Sequence, residues 1–121
     1  MKLYSSRVAP NPHKIRLAIA ELGIPCEVVE IDLKDRPNRR PPFTTTLNPN
    51  GHLPVIDDDG FVLWESDAIL AYLGRKHADR GLWPTGLKEE ADALRWLLYE
   101  LATLQPPVAD VWWEKWLRPK L

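Results

Sequence analysis

Apolar positions along the first half of the chain come in short runs separated by turn residues, with one helical stretch between the first two. Leu3 and Tyr4 lie in the run Lys2–Ser5, which reads as a strand. Asn11-Pro12 then signals a helix start, because an Asn cap accepts from orphan first-turn N–H groups and proline suits the first helical position. Ile15, Ala18, Ile19 and Leu22 recur at i, i+3, i+4 and i+7, and Gly23 stops the helix. The stretch 25–33, carrying Cys26, Val28, Val29 and Ile31, reads as a second strand. A helix joins it to the first, so the two strands should be parallel in a right-handed unit. The stretch 34–46 is polar, basic and proline-rich, a loop or short irregular helix. The apolar runs 53–57 and 61–64 flank Asp58-Asp59-Gly60, which predicts a hairpin. Ser66 is expected to cap a helix with Ile69, Tyr72, Leu73 and Lys76 on its face, ending near His77.

The resulting order is βαβ, loop, ββα, an α/β class that matches a thioredoxin-like domain with a mixed sheet over residues 1–78. Residues 79–87 read as a linker by composition. Beyond them Leu87, Ala91, Leu94, Leu98 and Leu101 describe a long amphipathic helix that Gln105-Pro106-Pro107 should bend or stop. The stretch 88–121 thus reads as an incomplete helical domain, and its tail carries Trp112, Trp113 and Trp116 at helical spacing. Core packing is the default for such tryptophans, with an apolar ligand pocket as the alternative.

Charge adds mainly exclusions. The 121 residues include 16 Lys+Arg against 17 Asp+Glu, a net charge of -1, so no overall field favours nucleic acid or an acidic membrane. No run approaches the roughly 18 apolar residues of a membrane span. The single cysteine, Cys26, excludes an intramolecular disulfide framework, a CxxC pair and a multi-cysteine zinc site. Its strand setting favours a buried, apolar-like role. A reducing compartment is expected, the cytoplasm. His13 and His77 have no ligand-spaced partners, so no metal is expected.

Three stretches carry a resemblance: NPNGHLPVI at 48–56, WESDAILAYL at 64–73 and LWPTG at 82–86. In this order and spacing they are similar to the glutathione S-transferase family, over residues 1 to about 105. The resemblance implies glutathione as co-substrate, attack of its thiolate on a small electrophile or a glutathione-dependent reduction, and a homodimer. It also implies a cis Leu53-Pro54 bond that lets the Leu53 backbone pair with the cysteine of the tripeptide like an added strand. Some members are non-catalytic binding or regulatory proteins, and that remains the alternative.

The candidate residues follow from the ligand. Ser66 and the first-turn N–H groups of its helix suit the γ-glutamyl carboxylate, and Glu65 suits the amine. His52 and Arg40, with neighbouring Arg39, are candidates for the glycine carboxylate, against the plainer reading of solvated basic side chains. Holding the thiol as thiolate needs a donor and positive potential near sulfur. The usual Ser/Cys position of the family falls on Ala9, which has no donor. Asn11 follows in a loop similar to that of a bacterial subgroup whose asparagine contacts the thiol. Its amide can donate, although an N-cap role alone also accounts for it. Ser5 and Ser6 are alternative donors, and Tyr4 reads as structural.

Overall fold

The computed structural model describes residues 1–120. Four strands form one mixed sheet in the order β2-β1-β3-β4. β1 (Lys2–Ser5) pairs parallel to β2 (Glu27–Glu30) and antiparallel to β3 (Val55–Asp58), and β4 (Phe61–Trp64) pairs antiparallel to β3. Side chains alternate across the sheet, so Leu3 and its cross-strand partner Ile56 share one face. Helix α1 (Pro10–Leu22) covers that face with Ile15 and Leu22, and all four residues are buried in one cluster. Tyr4 and Val55 take the opposite face, where Phe43 of the short helix α2 (Phe43–Thr46) meets the Tyr4 ring edge-on at 6.5 Å. Helix α3 (Ser66–Lys76) adds Ile69 and Leu73 to the main cluster.

Both expected helix caps are corrected. Asn11 is not the cap of α1: Ala9 holds that place, and Asn11 sits inside the first turn. Pro10 explains the shift, since it is itself suited to the first helical position. Ser66 likewise begins α3 instead of capping it, and Glu65 stands at the cap with φ 74°. The Gly23 stop is as expected, with φ 59° and N–H groups of Gly23 and Ile24 closing onto Ala20 and Ile19. β2 is shorter than the run 25–33, because Pro25 has no N–H for the ladder and β1 ends at Ser5. In the hairpin, Asp58 belongs to β3, and Asp59 and Gly60 both take positive φ, as a primed two-residue turn requires.

Asp58 fastens the hairpin to α3. Its buried carboxylate accepts from the Tyr72 hydroxyl at 2.6 Å and from the Lys76 ammonium. Those two hydrogen bonds, Lys76's first, hold the Asp58 carboxyl below its ordinary range, and the same contact raises the Tyr72 and Lys76 values. Cys26 is partly buried beside the core, and desolvation pushes its thiol upward.

From residue 87 on, the second half is helical. A 3₁₀ turn (Ala78–Arg80) leads to α4 (Leu87–Tyr99), a π-helical segment (Glu100–Leu104), α5 (Gln105–Trp112) and a second π segment (Trp113–Leu117). Gln105-Pro106-Pro107 therefore does not end the helix. Pro106 and Pro107 give no N–H to the preceding turn and crowd it, and the wider π turn just before them accommodates both effects. No residue of α4, the first π segment or α5 is buried. No helix among the described residues is long and apolar enough to cross a membrane.

Candidate functional site

Strand direction brings the candidate residues to one end of the sheet. β1 finishes at Ser5, opposite Glu30 at the end of β2, and Tyr4 stands opposite Val55 at the start of β3. Val55 in turn faces Trp64, the last residue of β4. The loop into α1, the residues before β3 and the start of α3 must therefore share that end. Two helix N-termini and their unpaired N–H groups come with them.

The segment 48–53 is pinned before it reaches β3. Asn48 is buried, donates through Nδ2 to the His52 carbonyl at 3.0 Å and accepts from the Asn50 N–H at 2.9 Å. Asn38, also buried, donates to the Gly51 carbonyl at 2.6 Å, and its Oδ1 has no partner among the described residues. Gly51 is required here: its φ is 65°, and a Cβ would lie 2.7 Å from the Asn38 carbonyl oxygen. The Leu53-Pro54 bond is cis, as is Pro41-Pro42, which the sequence did not suggest.

A cleft of about 610 Å³ opens at this end. Its floor includes Ala9, Asn11, His52 and Leu53, with Asn38 and Arg39 beside them. Trp112, Trp113 and Leu117 of the helical half, with Leu33, form an apolar wall. Trp112 is held by its indole N–H, which donates to the Val8 carbonyl, and the Arg36 guanidinium lies 5.5 Å from the Trp113 ring centre. His52 is shifted below its ordinary value, first by desolvation and then by Arg39, with Glu65 pulling the other way. Glu65 is thus within electrostatic reach of the cleft although outside its lining.

The other candidates fall into two groups. Ser66 is buried at the start of α3, Pro54 is buried directly before β3, and neither lines the cleft. The Ser5 hydroxyl is fully buried and accepts from Arg16 Nε at 2.8 Å, so it is committed to the framework. Ser6 is buried and also outside the lining. Arg40 donates to the Asp35 carbonyl at 2.9 Å, away from the cleft, while Arg39 lines it and donates to the Asn50 carbonyl.

Three contributors were not legible in the sequence. Arg36 and Asn38 sit in the basic proline-rich stretch, where no periodicity separates an inward side chain from a solvated one. Lys14 joins the halves: its ammonium binds Asp67 at 2.6 Å and Glu100 at 3.0 Å, all three side chains being less than a third exposed. Asp67 follows Ser66, so this contact also fixes the first turn of α3.

The pattern described as "Glutathione S-transferase, N-terminal domain" matches residues 1–75, and the chain belongs to that family. Among curated proteins it is similar to Protein URE2 of Debaryomyces hansenii, 33% identical over 115 residues, covering 89% of this chain and 37% of that protein. Among solved structures it resembles Ure2p in complex with glutathione, with TM-score 0.86 and 28% identity over 96% of this chain and 55% of that one. It also resembles the glutathione-bound theta class glutathione S-transferase of Xanthomonas axonopodis pv. citri, with TM-score 0.84 and 30% identity over 93% of this chain and 53% of that one. The chain thus spans between about a third and a little over half of these relatives.

Proposed function

We propose that the chain binds glutathione at the end of its sheet and ionises the thiol for attack on an electrophile. The observation that carries this reading is the convergence of Asn11, His52 and the Leu53 backbone on one cleft, beside the N-termini of α1 and α3. Leu53 N–H and C=O have no partner among the described residues and can take the peptide as an added strand. Ser66 with the first-turn N–H groups receives the γ-glutamyl carboxylate, Glu65 the amine, and His52 with Arg39 the glycine carboxylate. Asn11, inside the first turn of α1, donates to the sulfur in the positive potential of that helix end. The sulfur ionises because its charged form gains that hydrogen bond, and the proton leaves to solvent.

The alternative, a member that binds glutathione without catalysis, draws on Ala9 and on the Ser5 hydroxyl being taken by Arg16. Ultraviolet absorbance of the bound thiolate against pH separates the two. Asn11→Ala should raise the apparent pKa of bound glutathione thiol, while Ser6→Ala leaves it nearly unchanged. A bound thiol that titrates like free glutathione in the unsubstituted chain supports the non-catalytic reading. We also propose self-association through the apolar face bearing Leu94, Leu98 and Leu101, each exposed. Light scattering at micromolar concentration should give more than the monomer mass, and a monodisperse monomer contradicts it.

A further inference from the structure

His52 reaches the cleft on a backbone fixed on both sides of its Cα. Asn38 holds the Gly51 carbonyl and Asn48 holds the carbonyl of His52 itself. The imidazole has no hydrogen-bond or ion-pair partner among the described residues. Arg39 is kept close by: its side chain runs past Gly51, where a Cβ would lie 2.9 Å from Arg39 Cδ, and its Nη1 donates to the Asn50 carbonyl at 3.0 Å. Both residues line the cleft, so a permanent cation and a titratable ring bound one space.

Two charged groups set the field at that ring. Arg39, from the 3₁₀ turn Pro37–Arg39, opposes its protonation, and Glu65, at the start of α3, favours it. Arg36 and Asp110 line the same cleft without governing His52. Desolvation disfavours the imidazolium more than either neighbour affects it, so the ring of the free chain is neutral at pH 7. A carboxylate arriving between His52 and Arg39 reverses this balance. It offsets the Arg39 charge and accepts a charge-assisted hydrogen bond from the imidazolium. The ligand amine received by Glu65 weakens that residue's pull, but it belongs to the opposite, γ-glutamyl end.

We propose that His52 takes up a proton from solvent when the glycine carboxylate of glutathione arrives, so that this chain grips the tripeptide more tightly as pH falls. This rests on the glutathione-binding reading above. Linkage is reciprocal: a ligand that favours protonated His52 is favoured by protons to the same extent. Affinity therefore rises as pH falls between the free-chain and ligand-bound values of His52, and is level outside that window. Ionisation of the thiol runs the other way, releasing a proton and tightening binding as pH rises. Carboxylate capture and thiol activation thus respond to pH in opposite senses at the two sides of one cleft.

S-methylglutathione isolates the carboxylate effect, because its thioether has no proton to lose. Calorimetric titration of the full chain, in two buffers of different ionisation enthalpy, reads the protons taken up per ligand bound. About 0.2 to 0.8 proton per site is expected near pH 6.5, falling toward zero by about pH 8.5, with Kd about threefold or more lower at the acid end. His52→Gln should abolish both the uptake and the pH dependence. His52→Lys, charged throughout this range, should abolish them while retaining tight binding. The S-methyl tripeptide with its glycine carboxylate amidated should take up no proton. Binding of S-methylglutathione without proton uptake, or uptake that survives in His52→Gln or with the amidated ligand, overturns the proposal and leaves the glutathione reading standing. No binding of glutathione or S-methylglutathione to the folded chain overturns both.

Discussion

The helical half is richer in apolar residues than the sheet half, yet the two use them differently. Around the sheet, Leu3, Ile15, Ile56, Ile69 and Leu73 are all fully buried. In α4 to α5 the large apolar side chains face out, with Leu98 63% and Val111 63% exposed. The sheet half closes its own core. The helical half has a well-formed amphipathic pattern with nothing among the described residues to cover its apolar face. It is attached by a few specific contacts: Lys14 with Glu100, Arg75 with Glu90, and Trp112 with the Val8 carbonyl. The division of labour follows. A rigid sheet end fixes the polar groups of the cleft, and a loosely covered helical segment supplies its aromatic wall.

The largest break in that contrast should come from truncating one residue in each half. Ile56→Ala opens a cavity that the close-packed cluster cannot refill and should cost about 2 to 5 kcal/mol. Leu98→Ala, on an exposed face, should cost less than about 1 kcal/mol. Urea unfolding of both variants checks this, and equal losses would mean that the helical half is covered in solution.

Next in size is the link between the halves. Lys14→Met removes the ammonium and leaves Asp67 and Glu100 near each other in a partly buried setting, which should cost about 1 to 2 kcal/mol. Limited proteolysis should then cut within 87–120 sooner than in the unsubstituted chain, with fragments of the sheet half persisting.

The smallest effect concerns Asp58, whose carboxyl is lowered in the fold by Lys76 and Tyr72. A carboxyl so lowered contributes stability above the ordinary carboxylate range, and the contribution is lost as pH falls through its folded value. Asp58→Asn should therefore cost about 1 kcal/mol at neutral pH and flatten the loss of stability below about pH 4. Urea midpoints at several pH values measure both.

Much of this architecture was legible because local rules and tertiary packing agree. The Leu3 run, the Ile15 to Leu22 period, Gly23 and the Asp59-Gly60 turn each have one conformation that satisfies both. The caps were misread because two prolines flank Asn11, and the first one starts the helix. Ser66 was misread as a cap because its type suits that role, whereas the chain turns at Glu65, in a positive-φ conformation that nothing in a glutamate announces. Of the cleft, Asn11, His52 and Leu53 were reachable through motif resemblance. The tryptophan wall was open to the sequence only as the alternative to core packing, because how the second half folds back over the first is encoded in no local pattern.

The claim on which the rest depends is that glutathione occupies the sheet end. Titration calorimetry of the full chain with glutathione, repeated on Ser66→Ala, tests it most directly. One site per chain is expected, with Ser66→Ala weakening binding by about 1 to 3 kcal/mol, roughly five- to 150-fold in Kd. Absence of binding to a folded chain would contradict the account, and binding that Ser66→Ala leaves unchanged would place the ligand away from α3.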